Sequence, residues 1–335
     1  MTLQPENLPE SPASSGFLVQ VAAFFDFQEL RTDFPTEVLA GVTTFVTMAY
    51  ILIVNPGILS NAVFLNESGD LFGELVMATG ISAALATLIM AFHARLPFVL
   101  APGMGINAYF AFTVVLGLGI DWRVALAAVF IEGLIFIILT VTNLRSQIVA
   151  AIPEAVKHAT TAGIGLFIAY IGLKGAGIIV GSEATLTTLG SLQAPPAAMT
   201  LLGLGITAAL FARQVPGALL WGILGTAMLA WIFGVADWPA GLMAIPQAPV
   251  DLFGQAFVGL GELLRINFWE IVGIIFVFLF VDLFDTIGTL TGLGSKAGYI
   301  DEEGRFPGVE KAFMADAVGT TAGAILGTST VTTYI

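Results

Sequence analysis

Long apolar runs joined by short polar stretches limit what this chain can fold into. They fall at 38–58, 75–92, 98–118, 124–142, 158–180, 197–212, 217–236, 268–293 and 312–327, and a tenth element begins near Ser329. A hydrocarbon core about 30 Å thick takes roughly 20 apolar residues of helix to cross, and several runs reach that length. Of the 335 residues, 57% are hydrophobic and only 10% charged, too little polar surface for a soluble domain of this size. The expected class is an all-α polytopic membrane protein. Amphipathic stretches at 17–30 and 250–264 are expected to lie along the interface.

The charges define little else. The net charge is −13, but the acids sit mainly in the N-terminal tail and in loops such as Asn66–Asp70, which reads as solvated surface. No basic patch suggests nucleic acid. The absence of cysteine excludes disulfides, thiolate metal sites and a cysteine nucleophile. His93 and His158 lie near helix ends without metal-ligand spacing. No nucleotide-binding loop or hydrolytic triad stands out, so neither an enzyme nor an organic cofactor is expected.

Cations in short loops set orientation. With the N-terminus inside, Arg31, Arg95, Arg145, Arg213, Lys296, Arg305 and Lys311 are cytoplasmic, and Lys157 lies at a cytoplasmic helix end. Only Arg123, Lys174 and Arg265 are external. The sequence therefore predicts a cytoplasmic N-terminus.

An internal repeat is also visible. Glu37-Val-Leu-Ala-Gly opens the first span and Glu270-Ile-Val-Gly the eighth. Met77-Ala-Thr-Gly-Ile-Ser in the second aligns with Met314-Ala-Asp-Ala-Val-Gly in the ninth, and an extended-looking stretch follows each. Copies seven spans apart run in opposite directions. An inverted repeat of this kind is typical of secondary transporters with a site near the midplane, and it predicts about 14 spans in a complete protein, of which about nine and the start of a tenth lie in this chain. Small-residue helices can also resemble one another by composition alone.

Broken helices point to the site. Pro97, Pro102, Gly103 and Gly105 disfavour a continuous third span. The residues before Pro102 suit a strand, and a half-helix from Gly103 would aim backbone N–H groups and its positive end into the membrane. Asn107 adds an amide able to donate and accept; the competing reading is a kinked packing helix. In the eighth span Asp282, Asp285, Thr286 and Thr289 share one face. Carboxylates at this depth are costly and usually mark ion or substrate paths, and a neighbouring acid and burial would favour carrying a proton. Bonding to facing hydroxyls is the structural alternative. Glu132 in the fourth span and Asp316 in the ninth fit either a supporting or a structural role. Glu37 and Glu270 fit helix starts, and Asn55-Pro56 reads as a local break.

Thr36-Glu-Val-Leu-Ala-Gly-Val-Thr-Thr-Phe, Ala101-Pro-Gly-Met-Gly-Ile-Asn-Ala-Tyr-Phe and Phe280-Val-Asp-Leu-Phe-Asp-Thr-Ile-Gly-Thr together resemble the nucleobase–cation symporters of the xanthine/uracil permease superfamily, closest to the AzgA-like hypoxanthine, guanine and adenine permeases. The resemblance runs from about Phe24 to the last residue. It implies two inverted seven-span repeats, with spans 1–4 and 8–11 forming a core and spans 5–7 and 12–14 a gate. Strands would break spans 3 and 10. On this chain the pattern gives a tail with interfacial helix at 1–35, core at 36–145, gate at 146–240, a linker at 241–267 and core again at 268–335.

By the same resemblance, Gly103, Gly105, Asn107 and Tyr109 would line the purine site, with Asp285 binding the base's N–H edge. Asp285, with Asp282 and Glu132 behind it, would couple to protons. The family expects a glutamate just beyond Ile335.

The function expected is purine import by proton symport through alternating access, with Na⁺ as the other candidate ion, in a bacterial inner membrane. Uracil, xanthine or sulfate transport on the same fold, and a channel, are the alternatives. Apolar outer faces permit a homodimer.

Overall fold

Helices occupy most of the apolar runs, but the run 98–118 opens with a short strand where the site forms. The computed structural model describes residues 16–30, 32–142, 144, 148, 153–238, 241, 247–300, 306 and 308–334. Arg31, Arg145 and Arg305 lie outside them, as do the side chains of Lys157, His158 and Lys296. The chain divides into two units, Met1–Thr43 and Thr44–Ile335.

In the first unit the stretch 17–30 forms two short helices, α1 (Phe17–Phe24) and α2 (Phe27–Leu30), separated at Asp26, whose φ is 54°. Helix α3 (Phe34–Met48) then begins. Asp33 accepts from the Thr36 N–H (2.9 Å), and Glu37 in the first turn accepts from Thr32 Oγ1 (2.7 Å). Acids at this end satisfy orphan donors and complement the helix dipole.

In the second unit α3 gives way to α4 (Ile51–Leu59). The sequence places a break at Asn55-Pro56, whereas Pro56 lies inside α4. The interruption comes earlier, at Ala49–Tyr50, where Leu52 and Ile53 donate only three residues back. Proline cannot donate to the carbonyl four residues before it and crowds the preceding turn, so the departure from α geometry lies upstream of it.

Helix α5 (Phe72–Ile89) runs on through a π-turn at Met90–Ala94 and stops at Arg95, φ 56°. Strand β1 (Leu100–Pro102) leads into α6 (Met104–Ala108), which widens into a π-turn over Tyr109–Val115. Helix α7 (Trp122–Val141) is capped by Asp121, which accepts from the Arg123 N–H (2.8 Å). Helix α8 (Glu154–Gly175) ends sooner than the run 158–180 predicts. Gly177, φ 71°, turns the chain away, and Ile179 and Val180 enter an antiparallel hairpin of β2 (Ile179–Ser182) and β3 (Leu186–Leu189).

Helices α9 (Pro195–Ala212) and α10 (Ala218–Ile232) approach closely through small residues, Gly203 facing Thr226 and Gly222 facing Thr207. This packing suits helices in lipid. Helix α11 (Gln255–Glu262), α12 (Phe268–Ala297), α13 (Val309–Leu326) and β4 (Val331–Thr333) complete the order. Helix α7 is buried along most of its length, against α13 and α11.

Five helical stretches among the described residues are long and apolar enough to cross a membrane: Phe34–Leu59, Phe72–Ala94, Trp122–Val141, Pro195–Ala212 and Phe268–Ser295. Helix α13 is less apolar because it carries Glu310, Lys311 and Asp316; Asp316 and Thr320 are fully buried. Large apolar residues such as Leu166, Phe211, Trp221 and Phe233 face outward, as a lipid-embedded surface requires.

A carboxylate gathers the loop before α5. Asp70 accepts from the backbone N–H groups of Leu65, Asn66 and Glu67. These bonds, chiefly that from Asn66, hold its pKa below the usual carboxylate value. A depressed pKa stabilises the loop above the unfolded value, and that support is lost as pH falls through the folded one. Asp70→Asn should speed amide exchange at Leu65–Glu67 at neutral pH; unchanged exchange would show that Asp70 does not order the loop.

Candidate transport site

The site is built around two short strands that meet in the interior. β1 and β4 pair antiparallel, with Leu100 opposite Thr333, Ala101 opposite Thr332 and Pro102 opposite Val331. The ladder is extended by Gly103 N–H to Thr330 O (3.0 Å) and Tyr334 N–H to Val99 O (3.0 Å). Threonines from flanking helices bracket each outer edge. Thr87 Oγ1 accepts from Leu100 N–H (3.0 Å) and donates to its carbonyl (3.2 Å). Thr320 on α13 does the same for Val331 (3.2 and 2.9 Å). Backbone polar groups at membrane depth must be satisfied within the protein, and these threonines do so.

The segment Thr328–Thr333 then spends each hydroxyl on a different side chain. Thr328 accepts from Asn55 Nδ2 (2.9 Å), Ser329 donates to Asn107 Oδ1 (2.8 Å), and Thr330 donates to Glu132 Oε2 (3.3 Å). Thr332 meets Thr286 Oγ1 (3.2 Å), and Thr333 meets Thr289. Five hydroxyls thus bind the segment to α4, α6, α7 and α12.

Asp285 and Gly103 come together at the start of α6. Asp285 is half-buried, and its Oδ2 lies 3.4 Å from where a Cβ on Gly103 would stand. The Thr332 methyl is 2.9 Å from the same point, so any side chain at 103 would fill the space. Tyr334 closes another side, its hydroxyl donating to Pro102 O (2.6 Å).

Three further carboxylates, Glu132, Asp282 and Asp316, are fully buried. Thr286 Oγ1 stands 3.1 and 3.0 Å from the two oxygens of Asp316 and 3.5 Å from Asp282 Oδ1. Glu132 joins through Thr330. The Lys and Arg residues of α7, α12 and α13 lie only near the helix ends, at Arg123, Lys296 and Lys311. Among the described residues, no cluster of His, Cys, Asp and Glu suits a metal ion.

The sequence-predicted residues therefore separate into layers. Gly103 and Asp285 face each other. Gly105 and Asn107 are buried in the first turns of α6. Asn107 donates to Asn55 Oδ1 and accepts from Ser329, so both ends of its amide are engaged by protein. Tyr109 packs edge-on against Phe278 (5.2 Å), two turns before Asp285. Asp282 and Glu132 belong to the deeper acidic layer. Sequence reading missed Asn55, taken for a break, and the hydroxyls of Thr332 and Ser329. Their polarity within an apolar chain was the available signal.

A short strand leading into a half-helix, paired with a second strand in the interior and flanked by buried acids, suits a membrane transporter. The chain belongs to the permease family that includes the xanthine/uracil permeases, which matches residues 35–335. It is 42% identical to the guanine/hypoxanthine permease PbuO of Bacillus subtilis, over 93% of this chain and 70% of that protein. It is 38% identical to the adenine permease AdeP of Escherichia coli, over 93% and 67% respectively. The transmembrane domain of the cyanobacterial bicarbonate transporter BicA shares the fold at 15% identity, with a TM-score of 0.58 over 92% of this chain and 74% of that one. The protein is an integral membrane permease rather than an enzyme.

Proposed function

We propose that this protein imports purine nucleobases (hypoxanthine, guanine or adenine) together with protons. The observation that carries the reading is the Asp285 carboxylate set against Gly103 at the opening of α6. A purine offers N–H groups beside carbonyl oxygens or ring nitrogens. Asp285 accepts from the former, and the first-turn N–H groups of α6 donate to the latter. The relatives named for guanine, hypoxanthine and adenine support this substrate class. An inorganic anion would favour a cation in the pocket, where Asp285 stands instead.

Gly105 keeps the first turn of α6 open to the base, and Tyr109 lines its far end. Asn107 anchors that turn from behind. Asp285 passes the coupled proton to the buried acids Asp282 and Glu132 and stays ionised while the base is bound. The spans form inverted repeats of seven, the core moves against the gate in alternating access, and the N-terminus lies in the cytoplasm of a bacterial inner membrane.

Uptake of radiolabelled hypoxanthine into cells expressing the full gene product tests the coupling. Uptake should rise as external pH falls, collapse with a protonophore and survive replacement of Na⁺ by K⁺. Uptake indifferent to pH and protonophore would overturn proton coupling, and dependence on Na⁺ would replace the ion.

A further inference from the structure

We infer that Asn55 is a positioning residue for transport: through Asn107 and Thr328 it clips α6 and the approach to β4 into one fixed arrangement and so sets the juncture of Gly103 with Asp285. This rests on the substrate reading above. Asn55 sits mid-helix on α4 and is fully buried. Its Nδ2 donates to Thr79 Oγ1 (2.7 Å) on α5 and to Thr328 Oγ1 (2.9 Å), and its Oδ1 accepts from Asn107 Nδ2. One side chain thereby joins four parts of the structure: α4, α5, α6 and the approach to β4.

The direction of these bonds is fixed. Thr79 gives its hydroxyl proton to Leu75 O (2.6 Å), so toward Asn55 it can only accept. That turns Asn55 Nδ2 to Thr79 and leaves Oδ1 for Asn107. Asn107 must then present Nδ2 to Asn55 and Oδ1 to Ser329, which donates to it. A buried amide whose orientation is set by its partners cannot flip without leaving donors unpaired.

The consequence reaches Gly103 from two sides. Asn107 N–H bonds Gly103 O (3.0 Å), so its side chain anchors the turn that begins at Gly103. Ser329 directly precedes Thr330, whose carbonyl accepts from Gly103 N–H. Gly103 is held by both arms of a clip whose hub is Asn55. Filling space on α4 would require only an apolar residue of this size; the chain places there an amide that satisfies three groups.

A double-mutant cycle in the full gene product tests this, reading hypoxanthine binding and ligand-free melting temperature together. Asn55→Leu and Asn107→Leu should each weaken binding about tenfold or more, and the double variant should be little worse than the worse single. Thr328→Val, a milder and nearly isosteric change, should weaken binding in the same direction if Asn55→Leu fails to fold. Leu59→Ala, a buried cavity elsewhere on α4, should lower the melting temperature yet leave Kd within about twofold. Wild-type affinity in Thr328→Val, or losses that multiply in the double variant, would overturn the inference. A wild-type protein that binds no purine would overturn the substrate reading instead. The ligand-free melting cycle would then decide the clip, with coupled shifts sustaining it and additive shifts removing it.

Discussion

Asp285→Asn is expected to remove high-affinity purine binding while leaving the protein folded. The substitution keeps size and shape but replaces a carboxylate acceptor by an amide that presents N–H groups to the base. A hydrogen bond to a charged group contributes about 1.5–3 kcal/mol, so its loss corresponds to about 10- to 100-fold in Kd, and two N–H bonds lost together would exceed that. Folding should tolerate the change because Asp285 is half-buried and asparagine keeps its size and shape. Asp282→Asn is different, since Asp282 is fully buried beside Thr286 and should disturb assembly as well as transport. Equilibrium binding of radiolabelled hypoxanthine to membranes checks the pair. Unchanged affinity in Asp285→Asn would move the site away from α12, whereas a selective loss would place it there.

Much of this arrangement was legible in the sequence because lipid leaves few options. Hydropathy located the spans, and Pro97, Pro102 and Gly103 announced the interruption that became β1 and α6. Acids at 282 and 285 stood out in an apolar helix for the same reason. Partnership was not legible. Asn55 meets Thr328 across 273 positions of chain, and Asn107 meets Ser329 across 222; helical periodicity predicts which residues share a face but not what that face meets. A lone asparagine before a proline therefore read as a break, although it is the hub of a network. Asp316 stayed ambiguous because its meaning depends on Thr286, which only the approach of α13 to α12 supplies. The β2–β3 hairpin was hidden because Ile179 and Val180 continue an apolar run and only Gly177 marks the turn.

The crossing of α7 and α13 carries the second large effect. Gly133 on α7 lies against the backbone of Thr321, where an added Cβ would meet Thr321 N at 2.9 Å and Cα at 3.1 Å. Backbone in a buried helix cannot rotate away as a long side chain can, so Gly133→Ala must push the two helices apart. Overpacking of this kind costs about 1–3 kcal/mol, more than the helix propensity of about 1 kcal/mol that alanine returns. The displacement would not remain local. Thr320, next to Thr321, brackets Val331 of β4, and Glu132, next to Gly133, receives the Thr330 hydroxyl. Moving α13 therefore pulls on the strand that forms one wall of the pocket. Gly80→Ala on α5 is the matched control, since the nearest atom to its new methyl is Leu52 Cδ2 at 3.7 Å, ordinary contact. Thermal melting of the purified protein should show Gly133→Ala several degrees below wild type with hypoxanthine binding weakened, and Gly80→Ala level with wild type or above it. Equal melting of the two variants would mean that α7 and α13 do not cross at Gly133, and the support of β4 by α13 would have to be rebuilt from another contact.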